Sequence, residues 1–341
     1  MRVLVTGATG FTGGHTLAAL QRSGHEAVAF VRSADKLAHL VDTHGFEPVE
    51  HMVGDITDRP SVDAAVEGCD AVIHTAATVS FDPNDAAAMA ATNNVGVWAV
   101  LNAAVAAGCD PVVHVSSTSA LFPPRGNVMR ADDPIPEPKT DYARSKAQCE
   151  QHARDLQEQG HPVVIFYPGG IAGPVDAGSH VLGDAWREAL RPGWVPVITA
   201  GGTSYIDARD LADAFVAALE PDRGPRRYMA GGTFVNWHQN ADVLDEATGK
   251  TWKRRTIPSR VMETTGWIGD RIARLRSDWT PPIGYEAAMT MTRSVPTDDS
   301  PLHAELGIDY RPLDETMGDM IAWLVAQGRW APEDAPRWSD Q

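Results

Sequence analysis

The most constraining feature of this sequence is a regular alternation of short apolar runs with Ala-rich amphipathic segments. Near-continuous apolar strands separated by helices predict a parallel sheet covered on both faces, which is an α/β doubly wound fold. Helices are predicted over residues 11–23, 35–44, 60–67, 85–107, 141–159 and 208–219. Six runs have the composition of strands and end at Gly, Ser, Asp or Pro: RVLVTGATG, HEAVAFVR, EPVEHMVGDIT, CDAVIHTAA, PVVHVSST and HPVVIFYPGG.

The texture of the sequence changes after about residue 170, where Gly, Pro and Trp become frequent and the alternation is lost. We therefore predict a dinucleotide-binding sheet domain at 1–170 and a smaller substrate-binding part at 171–330 that is interleaved with it. The last segment, 331–341, is predicted to be a loose tail.

Charge and cysteine content exclude several classes of function. A net charge of -16 opposes non-specific binding to nucleic acid or to an anionic membrane, because the overall field repels phosphate. Cys69, Cys109 and Cys149 lie far apart without the spacing of metal ligands, which favours a reducing compartment and no metal site. We expect no secretory leader, no membrane span and a cytoplasmic protein.

A glycine-rich turn in VLVTGATGFTGGH follows the first strand and opens the first helix. Gly7, Gly10 and Gly13 would let the backbone approach a pyrophosphate, and the helix N-terminus would supply N–H groups and a positive dipole end. We predict a dinucleotide site here, with Thr9, Phe11 and Thr12 as further cofactor contacts. A turn that merely lets the helix pack on the strand is the alternative.

The end of the second strand indicates which dinucleotide binds. An acidic residue there would bind the ribose 2′-hydroxyl of NAD, but Val31 is followed by Arg32, whose guanidinium can pair with the 2′-phosphate of NADP. NADP(H) is therefore preferred and NAD(H) stays possible, the alternative for Arg32 being a solvated charge. Further contacts are predicted from the ends of the next two strands: Asp55 and Ile56 at the adenine, and Thr75, Ala76 and Ala77 near the middle of the cofactor. His74 and His114 are predicted to be core histidines.

Tyr142 and Lys146 are four residues apart in a helical pattern and so share one helix face. An ammonium near a phenol lowers the pKa of the phenol toward a range useful for general acid/base chemistry. Thr118, or failing that Ser117, could hold a substrate carbonyl oxygen toward the tyrosine. Taken singly, the Tyr/Lys pair could be chance and the hydroxyls could simply cap the strand end.

Together these residues resemble the extended branch of the short-chain dehydrogenase/reductase family over nearly the whole chain. The resemblance implies a Rossmann fold, with Gly7, Gly10 and Gly13 as the cofactor loop and Thr118, Tyr142 and Lys146 as catalytic residues. It also implies cofactor contacts from Asn93 in TNNVGVW, from Ser116, from Pro168 and Gly169 in YPGGIAGP, and from Tyr142 and Lys146 themselves.

Departures from the family pattern narrow the function that the resemblance implies. Ser119 follows Thr118 where sugar-nucleotide dehydratases carry an acid, and Val31 with Arg32 does not fit the NAD-binding epimerases. Tyr167 stands where the family usually has an arginine. What remains resembles NADP-dependent carbonyl reductases and hydroxysteroid-dehydrogenase-like members. A sugar-nucleotide epimerase that uses NAD and a non-catalytic NADP-sensing regulator are the alternatives.

The substrate and any partners are the least defined part of the prediction. Aromatic residues proposed for the substrate pocket are Phe81, Trp186, Trp194 and Tyr205, although such residues more often belong to a core. Residues 259–276 could form a lid over a hydrophobic substrate, an interfacial helix on a membrane, or a packing element. A homodimer is an open alternative to a monomer, and no nucleic-acid partner is expected.

Overall fold

The computed structural model describes residues 1–77, 86–137, 141–176, 181–273, 275–276 and 283–339, with only the backbone described at 86–91, 141–143 and 181. The strands are β1 (Arg2–Thr6), β2 (Glu26–Val31), β3 (Glu50–Val53), β4 (Ala71–His74), β5 (Val112–Val115), β6 (Val163–Pro168), β7 (Gly170–Ala172), β8 (Trp194–Ile198), β9 (Gly202–Asp207), β10 (Arg226–Ala230), β11 (Thr233–Asn236) and β12 (Lys253–Ile257). The helices are α1 (Phe11–Arg22), α2 (Ala34–His44), α3 (Arg59–Val66), α4 (Ala86–Ala107), α5 (Asp141–Glu158), α6 (Val181–Leu190), α7 (Ala208–Ala217), α8 (Trp237–Thr248), α9 (Ser259–Ala273), α10 (Tyr285–Arg293), α11 (Ser300–Leu306) and α12 (Leu313–Ala326).

Seven of these strands form one parallel sheet in the order β10-β6-β5-β4-β1-β2-β3. The β-branched and apolar residues that predicted the strands are buried on both sides, as a sheet with helices on each face requires. One face carries a core that includes Val3, Val5 and Leu17, and the other carries a core that includes Leu4 and Val72. The predicted doubly wound, Rossmann-like fold is confirmed.

The C-terminal part contributes directly to the main sheet. β10 lies at the sheet edge next to β6, although it comes about sixty residues later in the chain. The remaining strands form two small sheets, one of β11, β9 and β7 and one of β12 and β8. A third core, built around Met317, Ile321 and Leu244, fills this part of the molecule.

The end of the chain differs from the expected loose tail. Ala335 has no exposed surface, and the indole nitrogen of Trp338 donates a hydrogen bond to the carbonyl of Ala247 at 2.7 Å. Two short 3₁₀ turns, at Pro332–Asp334 and Pro336–Trp338, carry this segment along α8. The polar composition of the segment conceals this, although Ala335 and Trp338 pack on the C-terminal part and Asp334 pairs with Lys250.

No helix in the described part of the chain combines the length and the apolar character that crossing a bilayer requires.

Candidate functional site

The predicted site residues converge because all the strands of the main sheet are parallel. Parallel strands bring their carboxyl ends to one edge, and the loops after β1 to β6 therefore share that edge. Gly7 follows β1, Arg32 follows β2, and Thr75 follows β4. The prediction that these loops lie together depended on the sheet being parallel, and the structure has a parallel sheet.

The glycine loop is so tightly folded that two of its glycines admit no side chain. Gly7 has φ of +70°, and a Cβ on it would lie 2.6 Å from the Ala76 Cα atom. A Cβ on Gly13 would lie 2.2 Å from the Gly7 carbonyl oxygen. Gly10 caps α1 without a side-chain hydrogen bond, so the helix presents its N-terminus to the loop with no competing side chain. This arrangement fits a pyrophosphate at the helix N-terminus.

The segment after β4 is held against the glycine loop. The Thr75 hydroxyl and amide both donate to the carbonyl of Thr6, at 2.8 and 3.3 Å. Ala76 is the residue that a Gly7 side chain would strike. Thr75 and Ala76 thus lie beside the loop, and the predicted contact of Thr75, Ala76 and Ala77 with the middle of a cofactor stays a prediction.

Arg32 and Asp55 lie near each other at the ends of β2 and β3. Hydrogen bonds from the Thr57 amide (2.8 Å) and hydroxyl (2.7 Å) lower the pKa of the Asp55 carboxyl, and the charge of Arg32 lowers it further. The Arg32 side chain is exposed. Ile56 packs against α4, where a Cβ on Gly96 would lie 2.4 Å from its Cδ1 atom. A cation, a carboxylate and an apolar side chain thus follow the ends of β2 and β3, where the sequence predicts the adenosine contacts.

The catalytic candidates come from the end of β5 and the start of α5. Thr118 begins a one-turn 3₁₀ helix (Thr118–Leu121) whose cap is Ser117, with the Ser117 hydroxyl accepting from the Ser119 amide at 3.1 Å. The Ser117 oxygen is thus used as the cap acceptor, and Thr118 remains the first candidate for the substrate contact. Lys146 is half-buried on α5, and burial lowers its pKa. The backbone of Tyr142 lies one turn earlier in the same helix, and its side chain is outside the described residues.

Two buried histidines lie near Lys146. His74 and His114 are register partners on β4 and β5, their rings stack at 5.9 Å, and both are buried. Burial lowers the pKa of His74 to about 3 and that of His114 well below its usual value, and the charge of Lys146 adds to both shifts. Both rings are therefore uncharged at neutral pH, as core histidines.

The Ser116 side chain turns into the protein, and the cofactor contact that the resemblance implies for this residue stays a prediction. Its hydroxyl donates to the Glu150 carboxylate at 2.8 Å, and Glu150 has no exposed surface. The Arg154 guanidinium donates to the same carboxylate at 2.7 Å, and the Tyr167 hydroxyl also donates to it. Arg154 further donates to the Tyr167 oxygen at 2.9 Å. We call Ser116, Glu150, Arg154 and Tyr167 the buried polar cluster.

The family resemblance left the role of Tyr167 open, and the structure places it in this cluster. Tyr167 is fully buried, and burial together with the Glu150 charge raises the pKa of its phenol. The positive partner of Glu150 is supplied by Arg154 on α5 rather than by β6. Glu150 and Arg154 continue the four-residue spacing of Tyr142 and Lys146, which is the signal by which the sequence could have shown them.

Three further positions that the resemblance assigns to the cofactor, Asn93, Pro168 and Gly169, lie within the described residues. Asn93 is buried on α4, in the turn before Gly96. Pro168 ends β6, and a Cβ on Gly169 would lie 2.5 Å from the Gly231 carbonyl oxygen. Sequence reasoning missed Lys36, which is exposed in the first turn of α2, whose N-cap is Ser33. The pattern Arg32-x-x-x-Lys36 would have indicated it.

The four aromatic residues proposed for the substrate pocket do not share one environment in the structure. Trp186 and Tyr205 belong to the core of the C-terminal part: the Trp186 indole donates to the Tyr205 hydroxyl at 3.3 Å, and that hydroxyl donates to Asn240 at 2.8 Å. Their size and paired polar tips suit a core, which explains the difference. Trp194 is half-buried and stacks with the Arg255 guanidinium at 5.1 Å. Phe81 lies outside the described residues.

No group of three or more metal-binding side chains is found within the described ranges.

Comparison with known proteins gives a consistent result. Residues 3–231 match the model of the NAD dependent epimerase/dehydratase family. The chain is 30% identical to sterol demethylase protein B of Methylococcus capsulatus, over 96% of this chain and 99% of that protein. It is also 30% identical to 4-hydroxy-2-methyl-3-oxo-4-farnesyl-3,4-dihydroquinoline-1-oxide ketoreductase of Stigmatella aurantiaca, over 90% and 91% of the two chains.

A solved structure of similar fold is the UDP-glucose-4-epimerase of Stenotrophomonas maltophila with bound NAD and formylated UDP-arabinopyranose. It superimposes with a TM-score of 0.76 at 24% identity, covering 97% of this chain and all of the other. At that identity the likeness supports the fold alone.

Proposed function

Because this chain belongs to the NAD dependent epimerase/dehydratase family, we propose that it is an NADP(H)-dependent oxidoreductase that acts on a carbonyl or secondary alcohol of a small, hydrophobic substrate. That it is an NAD(P)-dependent enzyme acting on CH–OH and C=O groups follows from its relatives. The observation that carries the finer proposal is the meeting of the glycine loop, Thr118 and Lys146 at one edge of the sheet.

Each catalytic side chain has a distinct task in the proposed mechanism. The nicotinamide, when bound, supplies or accepts the hydride. Thr118 donates a hydrogen bond to the substrate oxygen and holds it toward α5. Tyr142 gives that oxygen its proton during reduction and takes it back during oxidation. The Lys146 ammonium favours the phenolate of Tyr142, and the neutral His74 and His114 leave Lys146 as the positive charge near them.

The preference for NADP(H) rests on the end of β2. Arg32 is exposed there, and the first turn of α2 adds Lys36 and a helix N-terminus beside it. Two cations and a positive dipole end suit a 2′-phosphate, whereas the 2′-hydroxyl of NAD calls for an acid. Binding of NAD(H) stays part of the proposal as the weaker interaction.

The hydrophobic substrate class is supported by the relatives. The two named above carry a sterol and a farnesyl group in their names, and a 3 beta-hydroxysteroid dehydrogenase of Mycobacterium tuberculosis is 28% identical over 78% of this chain.

Cytoplasmic residence is proposed because the three cysteines are free and buried. A homodimer is kept in the proposal as the alternative to a monomer. No nucleic-acid partner is proposed.

Two other functions set the outcomes of the test. A sugar-nucleotide epimerase would retain NAD through purification and isomerise its substrate without net redox change. An NADP-sensing regulator would bind cofactor and turn nothing over. Arg32 argues against the first, and the Tyr142/Lys146 pair argues against the second.

The test is a titration of the cofactor-free protein with NADPH and with NADH, followed by nicotinamide fluorescence. A panel of ketones, aldehydes and UDP-sugars is then added to the complex that forms. Tighter binding of NADPH and carbonyl-dependent loss of its absorbance are expected. Preference for NADH with isomerisation of a UDP-sugar, or binding without turnover of any compound in the panel, would refute the proposed function.

A further inference from the structure

The exposed apolar side chains of this protein are concentrated on one helix. Eight large apolar side chains are exposed within the described residues, and five of them lie in α9 and the turn after it: Val261, Trp267, Ile268, Ile272 and Leu275. Their exposed fractions range from 39% to 86%. Apolar residues scattered singly over a surface need no explanation, but a run of five on one element does.

The inner face of α9 explains why the apolar residues point outward. Met262, Gly266 and Gly269 are buried, and a Cβ on Gly266 would lie 2.9 Å from the Gly284 carbonyl oxygen. Small residues therefore pack α9 closely on the start of α10. At about 100° per residue, Val261, Ile268 and Ile272 form one stripe beside this inner face.

The charges of α9 are sorted between its two sides. Both acids are used for packing on α10: Glu263 pairs with Arg293 at 2.6 Å, and Asp270 accepts from the Tyr285 amide at 3.1 Å. Arg260 and Arg271 are exposed, and the Arg271 guanidinium covers the Trp267 ring at 4.9 Å. The outer side thus carries cations and apolar groups while the chain as a whole is strongly acidic.

We propose that α9 is an interfacial helix that docks the protein on an anionic lipid surface. An apolar stripe bordered on one flank by a tryptophan and arginines is typical of helices that lie in the headgroup region. The net charge of -16 does not prevent this, because charges more than about 8 Å from the surface are screened at physiological ionic strength.

A second copy of the chain fits this face less well. An antiparallel pairing of two α9 helices would place the flank carrying Arg260 and Arg271 against the same flank of its copy. Like charges would then meet around the apolar stripe, whereas anionic headgroups neutralise them. The sorting of charge therefore favours lipid over self-association.

The test is co-flotation of the full chain with vesicles of phosphatidylcholine alone and of equimolar phosphatidylcholine and phosphatidylglycerol. Binding to the mixed vesicles only is expected. The double variant Ile268→Ser, Ile272→Ser should bind the mixed vesicles at least about tenfold more weakly, since each side chain loses part of its apolar burial. Arg260→Glu with Arg271→Glu should weaken binding by more than about tenfold.

Trp98→Ser is the matched control for Trp267→Ser, because the two side chains are equally exposed, at 48% and 49%. Only the second should reduce flotation. Thermal melting of each variant shows that the fold persists. No flotation, equal binding to both vesicle types, or equal effects of the two tryptophan variants would overturn the proposal. A different outcome of sedimentation would also overturn it. In that outcome the wild type is a dimer that does not bind vesicles, and the double variant Ile268→Ser, Ile272→Ser is a monomer.

Discussion

Ser116 and Glu150 are joined by a hydrogen bond of 2.8 Å that connects the end of β5 to the middle of α5. Glu150 lies one helical turn after Lys146, and Ser116 lies two residues before Thr118. The bond therefore ties together the two elements that carry the catalytic candidates. Arg154 and Tyr167 extend the link to β6.

Replacing Arg154 should be costly because it would leave a buried carboxylate without its cation. We expect Arg154→Leu to lower the free energy of unfolding by about 3–5 kcal/mol. Arg59→Leu is the matched control: Arg59 also pairs with an acid four residues away in a helix, Asp63, but that pair is exposed. It should cost less than about 1 kcal/mol. Urea unfolding measures both, and equal losses would show that the buried polar cluster contributes little.

Tyr142→Phe should remove the proton donor and keep the cofactor site. We expect turnover to fall by about 100-fold or more while the Kd for NADPH stays within about twofold. Steady-state rates and fluorescence titration measure the two quantities. Substantial residual activity would show that another group transfers the proton. Tyr285→Phe, at the start of α10, is a control that should leave turnover unchanged.

Arg32→Ala should separate the two dinucleotides. Loss of a charge-assisted contact with the 2′-phosphate should weaken NADPH binding by about 10-fold or more and leave NADH binding nearly unchanged. Lys36→Ala should act in the same direction with a smaller effect, since a single ammonium lacks the planar fork of arginine. Titration with both cofactors gives the ratio. An equal loss for NADH and NADPH would contradict the role of Arg32.

The buried histidines should make the fold sensitive to acid. The pKa of His114 lies well below its usual value in the folded state, so below about pH 6.5 the unfolded chain binds a proton that the folded chain refuses. The free energy of unfolding should therefore fall by up to about 1.4 kcal/mol per pH unit for each such group. His114→Leu should reduce this slope, and His74, with a pKa of about 3, should maintain part of it.

Melting temperatures measured between about pH 7.5 and pH 5 test this expectation, because this range spans the usual histidine pKa of about 6.5. His39→Leu, on the exposed side of α2, is the control, because its ring is solvated in both states. Identical slopes for wild type and His114→Leu would show that His114 takes up a proton within the fold.

The sequence predicted the elements best where several local signals agreed. The predicted helix at 35–44 is observed at Ala34–His44, because its apolar face, its Ser33 cap and its Gly45 end all agree. The glycine loop was recognisable because Gly7 and Gly13 occupy positions that exclude a Cβ.

The predictions were weakest where a residue could serve packing or chemistry equally well. Trp186 and Tyr205 are residue types that also line ligand pockets, but here they belong to a core. Only the fold decides which side of a strand or helix is covered by other elements. The family resemblance implied a cofactor contact from Ser116. Its hydroxyl turns inward to Glu150, which no local pattern indicates.

The position of Arg154 bears on how this protein could diverge from its relatives. Because the cation that neutralises Glu150 is carried by α5 itself, the segment Asp141–Glu158 contains both charges of the pair and the lysine of the site. Such a segment could be exchanged between homologous chains as a unit, because no compensating change of charge in β6 would be needed. The contribution of β6 to this pair is then a single hydroxyl, that of Tyr167, which donates to Glu150.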